Sequence, residues 1–284
     1  MSRARQQRAA TALILGTNEI ASAAALALHA DGYACLLSHD PFPPVIRRGM
    51  AFHDSLFGET IVLAGVAGRR VETGAEIARA LDSAREIGVT PLSLSELIPL
   101  RMPDVLVDAR MQKYQVTPDW RRIARVTVGL GPNFAVGRNC DIAVETRPSD
   151  VARIVERGET EAGDRTPRPL GGVGAERFVY ADRDGPWHTA LDIGARVYRG
   201  VVIGRLGGAV IASPIDGVLR GIARDGSTAF AGAKLIEIDP RGREACWTGV
   251  DERGAQIARA VVEAVRLKQA ELNVRLEERG AAAI

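Results

Sequence analysis

The sequence predicts an α/β chain in three parts: a Rossmann-like parallel-sheet domain over residues 1–169, a small β domain over 170–250, and a C-terminal helix over 251–284. Three observations support this prediction. Strand-like and helix-like segments alternate in the first half, a short β unit is repeated in the second half, and the tail has apolar residues at helical spacing. A chain of 284 residues is long enough to form two domains.

The first part begins with a strand–helix–strand unit. The apolar run "TALILG" (Thr11–Gly16) suits a buried parallel strand. Ile20, Ala24 and Leu28 follow at a spacing of four residues, which places them on one face of a helix. The run "YACLLS" (Tyr33–Ser38) predicts the second strand. A crossover of this kind implies a parallel sheet.

The alternation continues along the chain, with one interruption. A helix is predicted over residues 74–88 with Ile87 on its apolar face, and buried strands are predicted over 104–110 and 125–131. Between residues 41 and 71 the rhythm breaks, and "IVLAGVAGRRV" indicates a hairpin inserted in the α/β layer.

The C-terminal segment predicts a helix that packs through its first half. Ile257, Val261, Ala264 and Val265 lie along one side of it. Beyond Lys268 the segment is highly charged, so it is expected to fray or to mediate oligomerisation. A homo-oligomer is therefore expected.

The composition limits the kinds of partner that the protein is expected to bind and the cellular compartment in which it is expected. The net charge of +2 gives no case for nucleic acid or a membrane as a partner. No apolar run approaches the roughly 20 residues of a membrane helix, and the basic N-terminus lacks the long apolar core of a signal peptide. A cytoplasmic protein is expected.

The cysteines and histidines do not indicate a metal site. The three cysteines are far apart and lack a C-x-x-C pair, and the four histidines show no ligand spacing. A metal site and a disulfide framework are therefore not expected, and the sequence identifies no catalytic residue.

Three loops at predicted strand ends are candidates for a ligand site: "GTNE" at 16–19, "DAR" at 108–110 and "GLGPNFAVG" at 129–137. Ligands of open parallel sheets bind beyond the carboxyl ends of the strands, and backbone N–H groups at a helix start attract anions. The predicted cofactor-binding residues are Gly16, Asn18, Glu19, Arg47, Arg48, Asp108, Arg110, Gly129, Gly131, Asn133 and Glu145.

Each of these signals has an ordinary structural explanation as well. Glycine at a strand end is common turn chemistry, and "GTNEIA" has only one glycine of the G-x-G-x-x-G fingerprint. Arg47 and Arg48, in the long loop after the second strand, could grip a phosphate or carboxylate, or they could be two solvated surface arginines.

The second half resembles the biotinyl/lipoyl-type barrel-sandwich hybrid. The segments starting at Gly194 and Gly226 are two copies of a short β unit, and "ASPIDGVLRGI" lies between them. In carriers of this family the modified lysine tips a hairpin between the two halves. The connection from Gly204 to Ser213 has no lysine. We therefore expect no biotin and no lipoyl group, and a structural or partner-binding role for this module.

The order of the motifs over nearly the whole chain resembles the selenium-dependent molybdenum hydroxylase system proteins. "LILGTNEIASAAALALHADGY", "DVLVDARMQK" and above all "VGLGPNFAVGRNCDIAVET" carry the resemblance. The chain departs from the family at residues 17–19, at Asp141 and at residues 147–150. A specialised relative of the family that binds a different ligand therefore stays an alternative.

This resemblance implies an accessory protein that acts in molybdenum cofactor maturation or insertion. It would bind the molybdenum cofactor or a nucleotide in the Rossmann-like cleft, and its partner would be a molybdenum hydroxylase client. Two other classes stay open: an NAD(P)-dependent oxidoreductase, favoured by the strand–helix–strand start, and a non-catalytic scaffold whose β module docks on a larger enzyme complex.

Overall fold

The computed structural model describes residues 9–112, 115–163 and 167–281. Its first-half strands are β1 (Thr11–Leu15), β2 (Ala34–Ser38), β3 (Ile61–Leu63), β4 (Val66–Arg70), β5 (Ile87–Thr90), β6 (Val105–Asp108), β7 (Val126–Leu130), β8 (Ile142–Val144) and β9 (Ile154–Val155). The later strands are β10 (Phe178–Tyr180), β11 (Gly185–His188), β12 (Arg196–Val197), β13 (Val202–Leu206), β14 (Ala209–Ala212), β15 (Gly217–Ile222), β16 (Thr228–Ala229) and β17 (Lys234–Asp239). The helices are α1 (Glu19–Ala30), α2 (Gly74–Ser83), α3 (Leu94–Leu97) and α4 (Glu252–Ala281), with 3-10 turns at Arg48–Met50, His53–Phe57, Ala175–Arg177 and Gly242–Glu244.

The first half forms one mixed sheet of nine strands in the order β3-β4-β5-β2-β1-β6-β7-β8-β9. The strands from β4 to β8 pair in parallel, whereas β3 and β9 pair antiparallel at the two edges. The strand–helix–strand unit of β1, α1 and β2 has the parallel pairing that its sequence predicts.

The predicted fold class, a Rossmann-like parallel-sheet domain followed by a biotinyl/lipoyl-like barrel, is wrong. The chain is mostly sheet with few helices, and it combines a large mixed sheet with two antiparallel sheets. The described residues of the connections from β6 to β7 and from β7 to β8 contain no helix. Buried apolar runs identify strands, but they do not reveal which edge strands reverse direction or which crossovers lack a helix.

The helix expected over 74–88 ends earlier. Its capping box at Thr73 is present, and Ala84 closes it in a left-handed conformation. Ile87 is therefore a fully buried residue of β5 and not part of a helical face. The hairpin expected between 41 and 71 is confirmed as β3 and β4, but it extends the sheet instead of interrupting it.

Helices α1 and α4 pack against each other, and their apolar residues share one core cluster with the sheet strands. The stripe predicted on α4 is confirmed: Ile257, Val261, Ala264 and Val265 are buried. Helix α2 belongs to a separate core cluster that also takes in alternate residues of β1 and β2, which places it on the opposite face. No helix of the described residues is long and apolar enough to cross a membrane.

The second half forms two antiparallel sheets of four strands, β10-β17-β15-β12 and β14-β13-β11-β16. Their shared core surrounds Trp187, whose Nε1 donates a 3.0 Å hydrogen bond to the Ala223 carbonyl. The lysine-free connection forms the β13–β14 hairpin. We call residues 178–239 the β module; the domain limits at 169 and 250 stay predictions.

Candidate functional site

The carboxyl ends of β1, β6 and β7 lie side by side because these strands are parallel neighbours. A Cβ on Gly16 would lie 3.1 Å from the Ala109 carbonyl oxygen, and the Asn18 side chain donates to that oxygen at 2.8 Å. Asn133 donates to the Gln112 carbonyl at 3.4 Å. The three candidate loops therefore meet along one margin of the sheet, which we call the carboxyl edge.

Several candidate residues at this edge have structural contacts. The side-chain oxygen Oδ1 of Asn18 caps α1 by accepting from the backbone N–H groups of Ile20 and Ala21, which satisfies donors that a helix start leaves unpaired. A Cβ on Gly129 would lie 2.1 Å from the Phe134 ring, so close packing already requires a glycine there. Ligand contact by these residues stays a prediction.

Gly131 and Glu145 shape the loops after β7 and β8. Gly131 has a φ of +93°, a conformation that favours glycine. The buried Glu145 carboxylate accepts from the backbone N–H groups of Thr146, Arg147 and Glu161. Glu145 therefore anchors the turns on both sides of β9.

Asp108 and Arg110 form a bidentate ion pair, with Nε–Oδ1 at 2.9 Å and Nη2–Oδ2 at 2.7 Å. Burial works to lower the pKa of Arg110, but the hydrogen bond and charge of Asp108 raise it overall. Trp120 donates to the same carboxylate at 2.8 Å. Gln112 donates to Asp40 at 2.6 Å, so Asp40 joins this polar rim.

Arg47 connects the sheet to the β module. Its Nε and Nη2 donate to Glu237 of β17 at 2.6 and 3.1 Å. Its Nη1 lies 3.0 Å from Glu19 in the first turn of α1 and 3.9 Å from Asp251, which precedes α4. Burial works against the charge, but the surrounding carboxylates raise the pKa of Arg47.

Arg48 contacts a different set of partners from Arg47. It donates to Asp54 at 2.6 Å, to Asp192 at 2.7 Å and to the Ile222 carbonyl at 3.0 Å. Neither arginine is a solvated surface residue, because both are held by carboxylates. Contact of either arginine with a ligand phosphate stays a prediction.

The positive and negative side chains around Arg47 are equal in number. Within the described residues, four arginines and four carboxylates form one connected ion-pair network. Its members are Arg47, Arg177, Arg220 and Arg241 with Glu19, Glu237, Asp239 and Asp251. Arg253 lies beside this network, donates to the Thr146 carbonyl at 2.9 Å, and pairs with no carboxylate of the described chain within 4.0 Å.

A second feature of this edge went unnoticed in the sequence. The Thr17 hydroxyl lies 2.9 Å from Nδ1 of His53 and 3.3 Å from Nδ1 of His39. Burial, followed by the neighbouring His39, lowers the pKa of His53 to about 3. These residues lie 22 and 36 positions apart, so no local motif could reveal them; the position of His39 directly after β2 was the available signal.

The part of the chain that the structure describes has no group of three or more His, Cys, Asp or Glu side chains placed to hold a metal ion.

Comparisons with known proteins give one curated relative of note, the uncharacterized protein YqeB of Escherichia coli strain K12. It is 29% identical over 259 residues, which are 90% of this chain and 47% of that protein. The chain thus spans about half the length of this relative. No model of a known protein family matches.

Solved structures give only distant similarity. The apo ectoine utilization protein EutE (DoeB) of Ruegeria pomeroyi is 12% identical with a TM-score of 0.24, covering 82% of this chain and 87% of that one. A succinylglutamate desuccinylase/aspartoacylase of Rhodobacter sphaeroides is 9% identical with a TM-score of 0.27, covering 84% and 87%. Scores this low carry no argument about function.

The predicted membership of the molybdenum hydroxylase accessory family is wrong, and so is the predicted function in molybdenum cofactor maturation. No model of that family matches the chain. No comparison supports the two alternative functions either. The motifs did not identify the family, because glycine-rich strand ends and apolar runs recur in many parallel sheets.

Proposed function

We propose that this chain binds a small anion, bearing a phosphate or a carboxylate, at the carboxyl edge beside Arg253. The observation that carries the proposal is Arg253, which has no carboxylate within 4.0 Å among the described residues, next to a balanced ion-pair network. A nucleotide, the ligand expected from the sequence, is one member of this chemical class.

The electrostatics around Arg253 favour an anion. Burial is the largest cause of a lowered pKa for Arg253, and the charges of Arg47 and Arg168 lower it further. The carboxylates Glu19 and Asp251 act in the opposite direction without restoring it. An anion placed among these arginines would relieve their repulsion, because a nearby opposite charge favours the charged form of a guanidinium.

The helix arrangement supports the same site. Helix α1 begins at Glu19 and α4 at Glu252, and Arg47 Nη1 lies within 4.0 Å of carboxylates at both starts. The two N-termini therefore open toward one region, and helix N-termini carry partial positive charge and free N–H donors. Arg253 is in the first turn of α4 and adds its full charge to them.

The β module gives this edge a second wall. Phe42, in the loop after β2, packs edge-to-face on Phe230 of the β module with ring centroids 4.8 Å apart. Both rings are more than a third exposed. They supply apolar surface at the same margin, which suits a ligand with a ring or an alkyl portion beyond its anionic group.

The experiment is calorimetric titration of ADP, inorganic phosphate and succinate into wild-type protein and two variants. Arg253→Ala removes the unpaired guanidinium, and Arg259→Ala removes an exposed arginine of the same helix as a matched control. A charge-assisted hydrogen bond contributes roughly 1.5–3 kcal/mol, so Arg253→Ala should weaken binding about tenfold to a hundredfold. Equal affinity in both variants, or no heat from any of the three anions, contradicts the proposal.

A further inference from the structure

The β module has an open strand at one edge. In the sheet β14-β13-β11-β16, β14 pairs with β13 on one side and with no described strand on the other. It is the longest of the four edge strands of the module, and its sequence, Ala-Val-Ile-Ala, contains neither a charge nor a proline. Edge strands present unpaired backbone N–H and C=O groups, and charges or prolines are common ways of blocking them. This edge therefore lacks the usual protection against another strand.

The outer face beside this edge is largely apolar. Val202 of β13 lies opposite Ala212 of β14, and Arg205 lies opposite Val210, so these four side chains share one face of the sheet. Val202 and Val210 are 53% and 51% exposed, and Tyr198, in the segment before β13, is 56% exposed. Exposed apolar side chains grouped in this way mark a protein–protein contact more often than isolated ones do.

The same stretch of chain is positively charged. Residues 198–213 include two exposed arginines, Arg199 and Arg205, and no acidic residue. Neither guanidinium lies within 4.0 Å of a carboxylate of the described residues. The Arg205 guanidinium donates to the Gly208 carbonyl at 3.1 Å, and the backbone N–H of Arg199 donates to Asp216 at 2.7 Å. Both guanidinium groups can therefore meet a carboxylate supplied from outside.

These charges decide which occupant fits the edge. Two copies of this chain paired through β14 would place four arginines, two from each copy, and no acidic residue of this stretch around the shared edge. Like charges on neighbouring strands are destabilising. A nucleic acid would suit the arginines but not the free C=O groups of β14, because phosphates only accept hydrogen bonds. An acidic polypeptide strand satisfies the arginines and the backbone groups together.

We propose that β14 binds an extended, acidic segment of a partner protein, which adds to the sheet as a further strand. Main-chain hydrogen bonds to β14 would hold the segment, and its carboxylates would pair with Arg199 and Arg205. Apolar side chains at alternate positions of the segment would lie on the same face as Val202 and Val210. This surface shares no residue with the anion site beside Arg253.

The probe is a short acetylated peptide that alternates valine with glutamate, titrated into the whole chain. Backbone amide NMR should show shifts at Val210 and Ile211, because their strand gains a neighbour. A version of the peptide with N-methylated backbone groups lacks the donors that a strand needs, so it should bind about tenfold more weakly. A peptide that alternates valine with lysine should also bind about tenfold more weakly.

The arginines are tested by a double variant, Arg199→Ala with Arg205→Ala, which should weaken binding of the valine–glutamate peptide roughly threefold to tenfold. Both side chains are exposed, so the variant is expected to fold. Arg243→Ala with Arg259→Ala removes two exposed arginines outside the module as a control of equal charge and should leave the affinity unchanged. Arg253→Ala should also leave it unchanged, so the two sites can fail independently.

Four results would each overturn the proposal: no binding of the valine–glutamate peptide, equal binding of the methylated or lysine peptide, shifts confined to residues outside β13 and β14, or equal affinity in the two double variants. Shifts at β14 that grow with protein concentration alone would identify a second copy as the occupant. Shifts at β14 with an oligouridylate would identify a nucleic acid. Either of these would overturn the proposal as well.

Discussion

Glu237 offers the most quantitative test of how the β module is held to the sheet. Its carboxylate is 1% exposed and lies within 2.6 to 3.6 Å of nitrogen atoms of Arg47, Arg177 and Arg220. Glu237→Gln keeps the shape but removes the only charge placed among three guanidinium groups in this part of the described chain. Breaking a buried ion pair from one side costs about 3–5 kcal/mol, and we expect a loss in this range.

The assay is urea unfolding of wild type and Glu237→Gln, with Glu244→Gln as an exposed control on the 3-10 turn after β17. The control should change the free energy of unfolding by no more than about 0.5 kcal/mol. A loss below about 1 kcal/mol in Glu237→Gln would refute the reasoning, because it would mean that the three arginines do not depend on this carboxylate.

The same variant has a predictable pH dependence. Burial works to raise the pKa of Glu237, but Arg47 and the other arginines lower it overall. A lowered folded-state pKa gives stability that is complete above the unfolded value of about 4.3 and is lost as pH falls toward the folded value. The difference between wild type and Glu237→Gln should therefore be full at neutral pH and shrink below about pH 4.

Three further predictions concern other parts of the chain. Gly129→Ala should lower the free energy of unfolding by about 1–3 kcal/mol in urea titrations, because its Cβ would meet the Phe134 ring; an unchanged midpoint would contradict this packing. The His53 imidazole, with its pKa lowered to about 3, should show no NMR titration between pH 5 and 8; its contribution to stability is complete above the unfolded pKa of about 6.5 and is lost as pH falls toward 3. Intact mass spectrometry should give the mass of the unmodified chain, since the β13–β14 hairpin lacks a lysine; a biotin- or lipoyl-sized increase would contradict it.

Local patterns were sufficient for elements whose apolar spacing is unambiguous. The stripe of α4 and the β1–α1–β2 unit are where the sequence predicts them, because burial of one face determines both. The boundary between α2 and β5 was missed, because Ile87 fits a helical stripe as well as a buried strand. A short apolar segment cannot distinguish the two without its tertiary partners.

The candidate site was predictable only in part. The strand-end loops meet at one edge because the strands pair in parallel, and this was predictable. The contacts of each side chain do not follow from strand pairing. Arg47 meets Glu237 across 190 residues, and Arg48 meets Asp192 across 144. Arg253 lies in a charged helix start, where the sequence does not distinguish it from its neighbours; its lack of a carboxylate partner among the described residues depends on which arginines the neighbouring carboxylates contact.

The central claim, that an anion binds beside Arg253, is tested most directly by crystals soaked in selenate and measured at the selenium absorption edge. We predict an anomalous peak within hydrogen-bond distance of the Arg253 guanidinium, near the starts of α1 and α4. The same soak of Arg253→Ala crystals should lose that peak. Peaks only at exposed arginines, or an identical peak in the variant, would contradict the account.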